Sequence, residues 1–71
     1  MIPLAFATIG EEALIKKISG KSKTRQHLNT LGFTEGSKLS IVSKSNGNLI
    51  VKIKGSRIAL SKELATKIVI N

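Results

Sequence analysis

Residues Lys38–Lys54 read KLSIVSKSNGNLIVKIK, two runs of alternating apolar and polar residues joined by Asn46-Gly47. In the first run Leu39 and Ile41 share a face, and in the second Leu49, Val51 and Ile53 do, which is the period-2 pattern of strands buried on one side. An Asn-Gly pair between such runs predicts a two-residue hairpin, because both residues tolerate the positive φ of a type I′ turn.

The same pattern extends on both sides. Downstream, Gly55-Ser56 predicts a second tight connection into a strand Arg57-Ile58-Ala59-Leu60, so three strands form an antiparallel meander. Ser61 to Ala65 opens with a capping serine and is long enough for one turn of 3₁₀ or α-helix, and Lys67 to Ile70 then forms a closing strand. Upstream, the turn at Gly10-Glu11-Glu12 leads into a strand, Ala13 to Ile18. Ala13 and Ile15 fall on one face of it and Ile18 on the other, which predicts a bulge between Ile15 and Ile18. From Ser22 to Leu31 the spacing becomes helical, with Ser22 or Thr24 as cap and Gly32 as stop, and Phe33 is placed to fold back under the last turn. Gly36 marks a further turn.

Five short strands with one helix inserted after the first fit a small all-β barrel better than a sandwich, which needs more strands. The expected core is Ala13, Ile15, Leu28, Leu31, Leu39, Ile41, Leu49, Val51, Ile53, Ile58, Leu60 and Ile68. A chain of 71 residues buries only about 60% of its unfolded surface and supports one core, so residues 1–71 are read as a single domain. There are no cysteines, so apolar packing must carry the stability without disulfides or thiolate ligands.

Twelve Lys and Arg against four Asp and Glu give a net charge of +8, which attracts nucleic acid, anionic lipid or an acidic protein surface without choosing among them. The basic residues are spread along the chain, as on a solvated surface. Met1 to Ala7 is short, uncharged and broken by Pro3, unlike a secretory signal, and no apolar run approaches the roughly 18 residues needed to cross a bilayer. The expected location is the cytoplasm, with any membrane association indirect or peripheral.

The residues offer little chemistry. His27 is the one histidine, and Glu11, Glu12, Glu35 and Glu63 are scattered over different turns and the last helical segment. No metal-ligand spacing results, and His27 reads as a surface residue beside Leu28. No catalytic residue is assigned: no serine or threonine is set with a histidine-acid pair, and the glycines form no phosphate-cradling loop. No cofactor is expected. Specific nucleic-acid binding is disfavoured because Phe6 and Phe33 are the only aromatics available for stacking.

The run Arg25-x-x-Leu28-x-x-Leu31-Gly32-Phe33-x-x-Gly36, followed by the alternating strand from Leu39, resembles the FeoA family of small ferrous iron transport proteins. Gly10-x-x-Ala13-x-Ile15-x-x-Ile18 is similar to that family's opening strand, and the stretch from Ile50 through Gly55 to Ile58-Ala59-Leu60 to its closing hairpin. Glu35 departs from the family, where many members carry proline. The resemblance implies an SH3-like barrel in the bacterial cytosol, with no catalytic role, acting by protein binding on FeoB, the membrane-embedded ferrous-iron transporter with a GTP-binding domain. The membrane would then be reached only through that partner, and self-association into a homo-oligomer stays open. The same barrel resembles the C-terminal regulatory domain of repressors of the diphtheria toxin repressor type, and a small basic nucleic-acid-binding barrel is a third alternative. The initial methionine and the lack of a helix-turn-helix segment favour the free-standing protein.

Two surfaces are candidates for partner binding. One consists of the strand residues left over once the core face is filled, Leu14, Val42, Ile50 and Val69, which are expected to point outward. The other is the helix and its following turn, where Arg25, Gln26, Asn29 and Thr30 surround an apolar seam of Leu28, Leu31 and Phe33. Incomplete cover of that seam would leave a groove suited to an apolar side chain from a partner.

Overall fold

The Asn46-Gly47 hairpin forms as its sequence requires. In the computed structural model, which describes residues 1–71, strand β3 (Lys38–Ser45) pairs with β4 (Asn48–Ile53) from Ser45 opposite Asn48 to Leu39 opposite Ile53. Asn46 and Gly47 have φ of +52° and +84°, the two positive values of a type I′ turn. The register slips between Ile41 and Ser43, so Val42 is the extra residue of a bulge that simple alternation does not reveal. Bulges of this kind bend and twist a strand, which a sheet as curved as this one needs.

The next connection differs from expectation by one residue. Ile53 pairs with Ser56 at the start of β5 (Ser56–Leu60), so Lys54-Gly55, and not Gly55-Ser56, forms the loop. Their φ values are +50° and +80°. Glycine must take the second loop position, and Lys54 therefore occupies a left-handed conformation that costs a side-chain-bearing residue about 1 to 2 kcal/mol.

Strand β2 (Glu12–Ile18) pairs with β3 on one side and with β6 (Ile68–Ile70) on the other. Its register with β6 shifts between Ile15 and Lys17, the bulge predicted from the broken alternation, and by it Ala13, Ile15 and Ile18 are all buried. The start of the chain adds what sequence reading missed. Ile2–Pro3 forms a two-residue strand β1 on β6, and a 3₁₀ turn over Leu4–Phe6 packs against the second helix and inserts Leu4 into the core. The sheet is thus six-stranded, in the order β1-β6-β2-β3-β4-β5, with every pairing antiparallel. Its edges, β1 and β5, do not pair with each other, so the all-β barrel is open in its hydrogen bonding.

Helix α1 spans Ser22–Thr30. Neither Ser22 nor Thr24 caps it: Gly20, at φ +106°, turns the chain so abruptly that Lys21 becomes the N-cap residue, without a side-chain bond, and Ser22 is already helical. At the other end Leu31 is the C-cap and Gly32 has φ +107°. The Phe33 N–H donates to the Leu28 carbonyl and the Gly32 N–H to the Asn29 carbonyl, both at 3.0 Å. This is the Schellman arrangement, and its usual apolar contact is supplied by the burial of both Phe33 and Leu28. The second helix, α2 (Lys62–Thr66), starts at Ser61, whose hydroxyl accepts from the Leu64 N–H at 3.2 Å.

One core cluster of 16 residues fills the barrel. It includes the expected Ala13, Ile15, Leu28, Leu39, Ile41, Leu49, Val51, Ile53, Leu60 and Ile68, while Leu31 and Ile58 pack against it half-buried. Leu4, Ala7, Ile18, Phe33, Ala65 and Ile70 complete it.

Candidate functional site

Ser22, Arg25, Gln26 and Asn29 lie three and four residues apart and so share one face of α1. Across from them stand Thr34 and Glu35, and with Ile18 from the end of β2 these residues line a groove of about 540 Å³. The far wall is held by the backbone: the Gly36 N–H donates to the Ile15 carbonyl at 2.8 Å and the Ile15 N–H to the Ser37 carbonyl at 2.9 Å. The hydroxyls of Thr34 and Ser37 are hydrogen-bonded at 2.7 Å. Arg25 is exposed and lines this groove.

The apolar seam expected there does not reach the surface. Leu28 and Phe33 are both 0% exposed, because the Schellman turn folds Phe33 beneath the helix, and Leu31 is half-buried against the core. Leu28 and Phe33 therefore support the groove from below and are not available to a partner. Ile18 is the single hydrophobic residue lining the groove. Its other groups are a guanidinium, two amides, two hydroxyls and a carboxylate, which suit directional polar contacts in place of an inserted apolar side chain.

The four leftover strand residues divide into two pairs. Val42 and Ile50 are 37% and 40% exposed and come together, since the bulge leaves Val42 unpaired beside Ser43, the partner of Ile50. Leu14 and Val69 are only half-buried and lie elsewhere on the sheet. Asn71 covers Leu14, exchanging hydrogen bonds of 3.1 and 3.2 Å with its backbone, and Val69 is flanked by Pro3 of β1 and Lys17 of β2.

Two further apolar residues, passed over in the sequence reading, are exposed on a segment bound to β3. Phe6 is 71% and Ile9 53% exposed. Their segment is tied to β3: the Gly10 N–H donates to the Ile41 carbonyl at 2.8 Å, the Ile41 N–H to the Glu11 carbonyl at 3.0 Å, and Lys44 Nζ to the Ala5 carbonyl at 3.5 Å. The signal was the excess of large apolar residues in MIPLAFATI, more than so small a barrel can bury. No three His, Cys, Asp or Glu side chains are grouped to hold a metal ion, and His27 is exposed on α1.

A family model described as the FeoA domain matches residues 2–71. A protein of Methanocaldococcus jannaschii named "Putative Fe(2+) transport protein A" is 44% identical over 70 residues, covering 99% of this chain and 85% of its own. Among solved structures, an iron uptake regulatory protein, FeoA, superposes with a TM-score of 0.89 at 28% identity, over 99% of this chain and 93% of that one. The FeoA of Stenotrophomonas maltophilia, described as a prokaryotic SH3 domain protein and solved with zinc, superposes with a TM-score of 0.85 at 22% identity, over 100% of this chain and 91% of its own, a likeness of fold.

Proposed function

On the premise that this chain belongs to the FeoA domain family, we propose that it is a cytoplasmic accessory protein of ferrous-iron uptake that works by binding a FeoB-type membrane GTPase transporter. The observation that carries this reading is the 44% identity to an Fe(2+) transport protein across 99% of the chain. No helix is long and apolar enough to cross a membrane, and this reading assigns transport itself to the partner. The regulatory-domain alternative shares this fold, and family membership favours the transporter accessory.

The groove beside α1 is the proposed docking site. Arg25 supplies a planar, permanently charged donor set suited to carboxylates or backbone carbonyls on the partner. Gln26, Asn29, Ser22 and Thr34 add neutral hydrogen bonds around it, and Glu35 adds a position that selects for cationic or donor groups. The walls are held by an α-helix and by hydrogen bonds to β2, so little ordering is needed on binding.

The test is retention of the purified protein on an immobilised, detergent-solubilised FeoB-type transporter. Wild-type protein should be retained, and Arg25→Glu should weaken binding about tenfold, or about 1.4 kcal/mol, with an unchanged circular dichroism spectrum. Failure of the wild type to bind would overturn the transporter reading; equal retention of Arg25→Glu would overturn the groove.

A further inference from the structure

The outer face of β3–β4–β5 carries two adjoining rows of side chains, set by strand register. In one, the bulge pair Val42 and Ser43 is followed by Ile50 and, directly opposite on β5, Ala59. The segment that carries the exposed Phe6 and Ile9 is tied to β3 beside this row, by the hydrogen bonds of Gly10 and Glu11 with Ile41 and of Lys44 with the Ala5 carbonyl. Two residues along each strand, the second row runs Ser40, Lys52, Arg57. Lys38 and Lys54 lie past it, lining a shallow hollow of about 250 Å³ with Ser40, Lys52 and one carboxylate, Glu12. The carboxylates nearest these rows are Glu12, opposite Ser40, and Glu11, whose Oε1 accepts from the Thr8 N–H at 3.0 Å. The face is thus an aliphatic and aromatic strip beside a cluster of cations.

Shape separates the ligands such a face could take. None of the four hollows on the molecule is lined by Phe6, Ile9, Val42 or Ile50. Val42 and Ile50 stand on the outer side of the curved sheet, Phe6 and Ile9 are exposed on the segment bound to β3, and none of the four lines a recess. A folded partner would have to supply recesses of its own matched to these side chains, whereas the headgroup region of a bilayer yields to any protruding set. Flanking lysines and arginines then meet lipid phosphates, in a chain whose net charge is +8. We propose that the outer face of β3–β4–β5, with Phe6 and Ile9, binds the surface of an anionic lipid bilayer directly. This replaces the expectation that the membrane is reached only through the partner: the protein reaches the surface itself, by a face distinct from the groove beside α1.

The experiment is partitioning of the intact protein onto phosphatidylcholine vesicles with and without phosphatidylglycerol, at about 0.1 M salt. Binding is expected on the anionic vesicles and not on the neutral ones. Ile50→Asp should lower the partition coefficient about tenfold, as should the double variant Lys52→Gln/Arg57→Gln. Because Ile50→Asp could disturb the sheet, insertion is read independently with Phe6→Trp, a sole tryptophan in a chain that has none. Its emission should shift to the blue on anionic vesicles only. Absence of binding would overturn the proposal, as would an unshifted Phe6→Trp emission or an Ile50→Asp variant that binds vesicles like wild type, which would mean charge adsorption alone. An Ile50→Asp variant that keeps vesicle binding but loses the transporter would overturn it in favour of a protein partner.

Discussion

The segment around α1 and the outer face of β3–β5 dispose of their apolar side chains in opposite ways. Around α1, Leu28 and Phe33 are drawn wholly into the core by the Schellman turn, and what remains outside is polar and concave. On the strands, alternation sends one face inward and leaves Val42 and Ile50 outside, while the N-terminal segment buries Leu4 and Ala7 but exposes Phe6 and Ile9. The chain's two phenylalanines mark the difference, Phe33 being buried and Phe6 exposed. A polar groove with fixed walls makes contacts whose geometry matters. A protruding apolar strip among cations makes contacts that depend on area and charge.

The comparison breaks most visibly if the two phenylalanines behave alike. Phe33→Ala should cost about 3 to 5 kcal/mol, since it empties a fully packed site, whereas Phe6→Ala should change stability by less than about 0.5 kcal/mol, as exposed substitutions do. Urea unfolding followed by circular dichroism measures both, and a similar loss for each would mean that Phe6 is structural. A smaller effect sharpens the account of why Phe33 is buried. Gly32→Ala places a Cβ at φ +107°, with only the Lys54 side chain nearby at 3.8 Å, so the cost is one of backbone strain, about 1 to 2 kcal/mol. A neutral result in the same unfolding experiment would show that the helix ends without help from this turn. The smallest effect lies at the strand end of the comparison. Lys54→Asn should stabilise by a few tenths to about 1 kcal/mol, because asparagine accepts the left-handed conformation of a type I′ loop more readily than lysine; destabilisation would imply that the lysine side chain supports the loop.

What was legible in the sequence was whatever local chemistry enforces. The Asn46-Gly47 turn, the bulge in β2, the Ser61 cap and the folding back of Phe33 each follow from a few neighbouring residues. The rest depended on partners distant in sequence. Strand β1 is two residues long, too short to show a period, and exists because β6 offers it an edge. The bulge at Val42 left no mark, since Leu39 and Ile41 alternate inward and Val42 reads as the outward residue after them whichever register follows. The loop at Lys54-Gly55 was misplaced because a glycine marks either position of a tight turn until the pairing of Ile53 with Ser56 is known. In the candidate site, Arg25 was legible as an exposed helix residue, and Leu28 as core, but whether the barrel covers the seam of Leu28, Leu31 and Phe33 was not, because the depth of the core beneath a short helix is a property of the whole barrel. Phe6 and Ile9 were passed over because only the tertiary contacts of their segment tie it to β3 and leave them exposed.

The central claim is a division of labour between the two surfaces, and one titration tests it: binding of wild type, Arg25→Glu and Ile50→Asp to anionic lipid nanodiscs with and without a FeoB-type transporter. The account predicts that Arg25→Glu loses the binding added by the transporter and keeps the binding to empty nanodiscs, while Ile50→Asp loses the binding to empty nanodiscs and keeps the transporter's increment. Loss of the same component in both variants, each still folded, would contradict it.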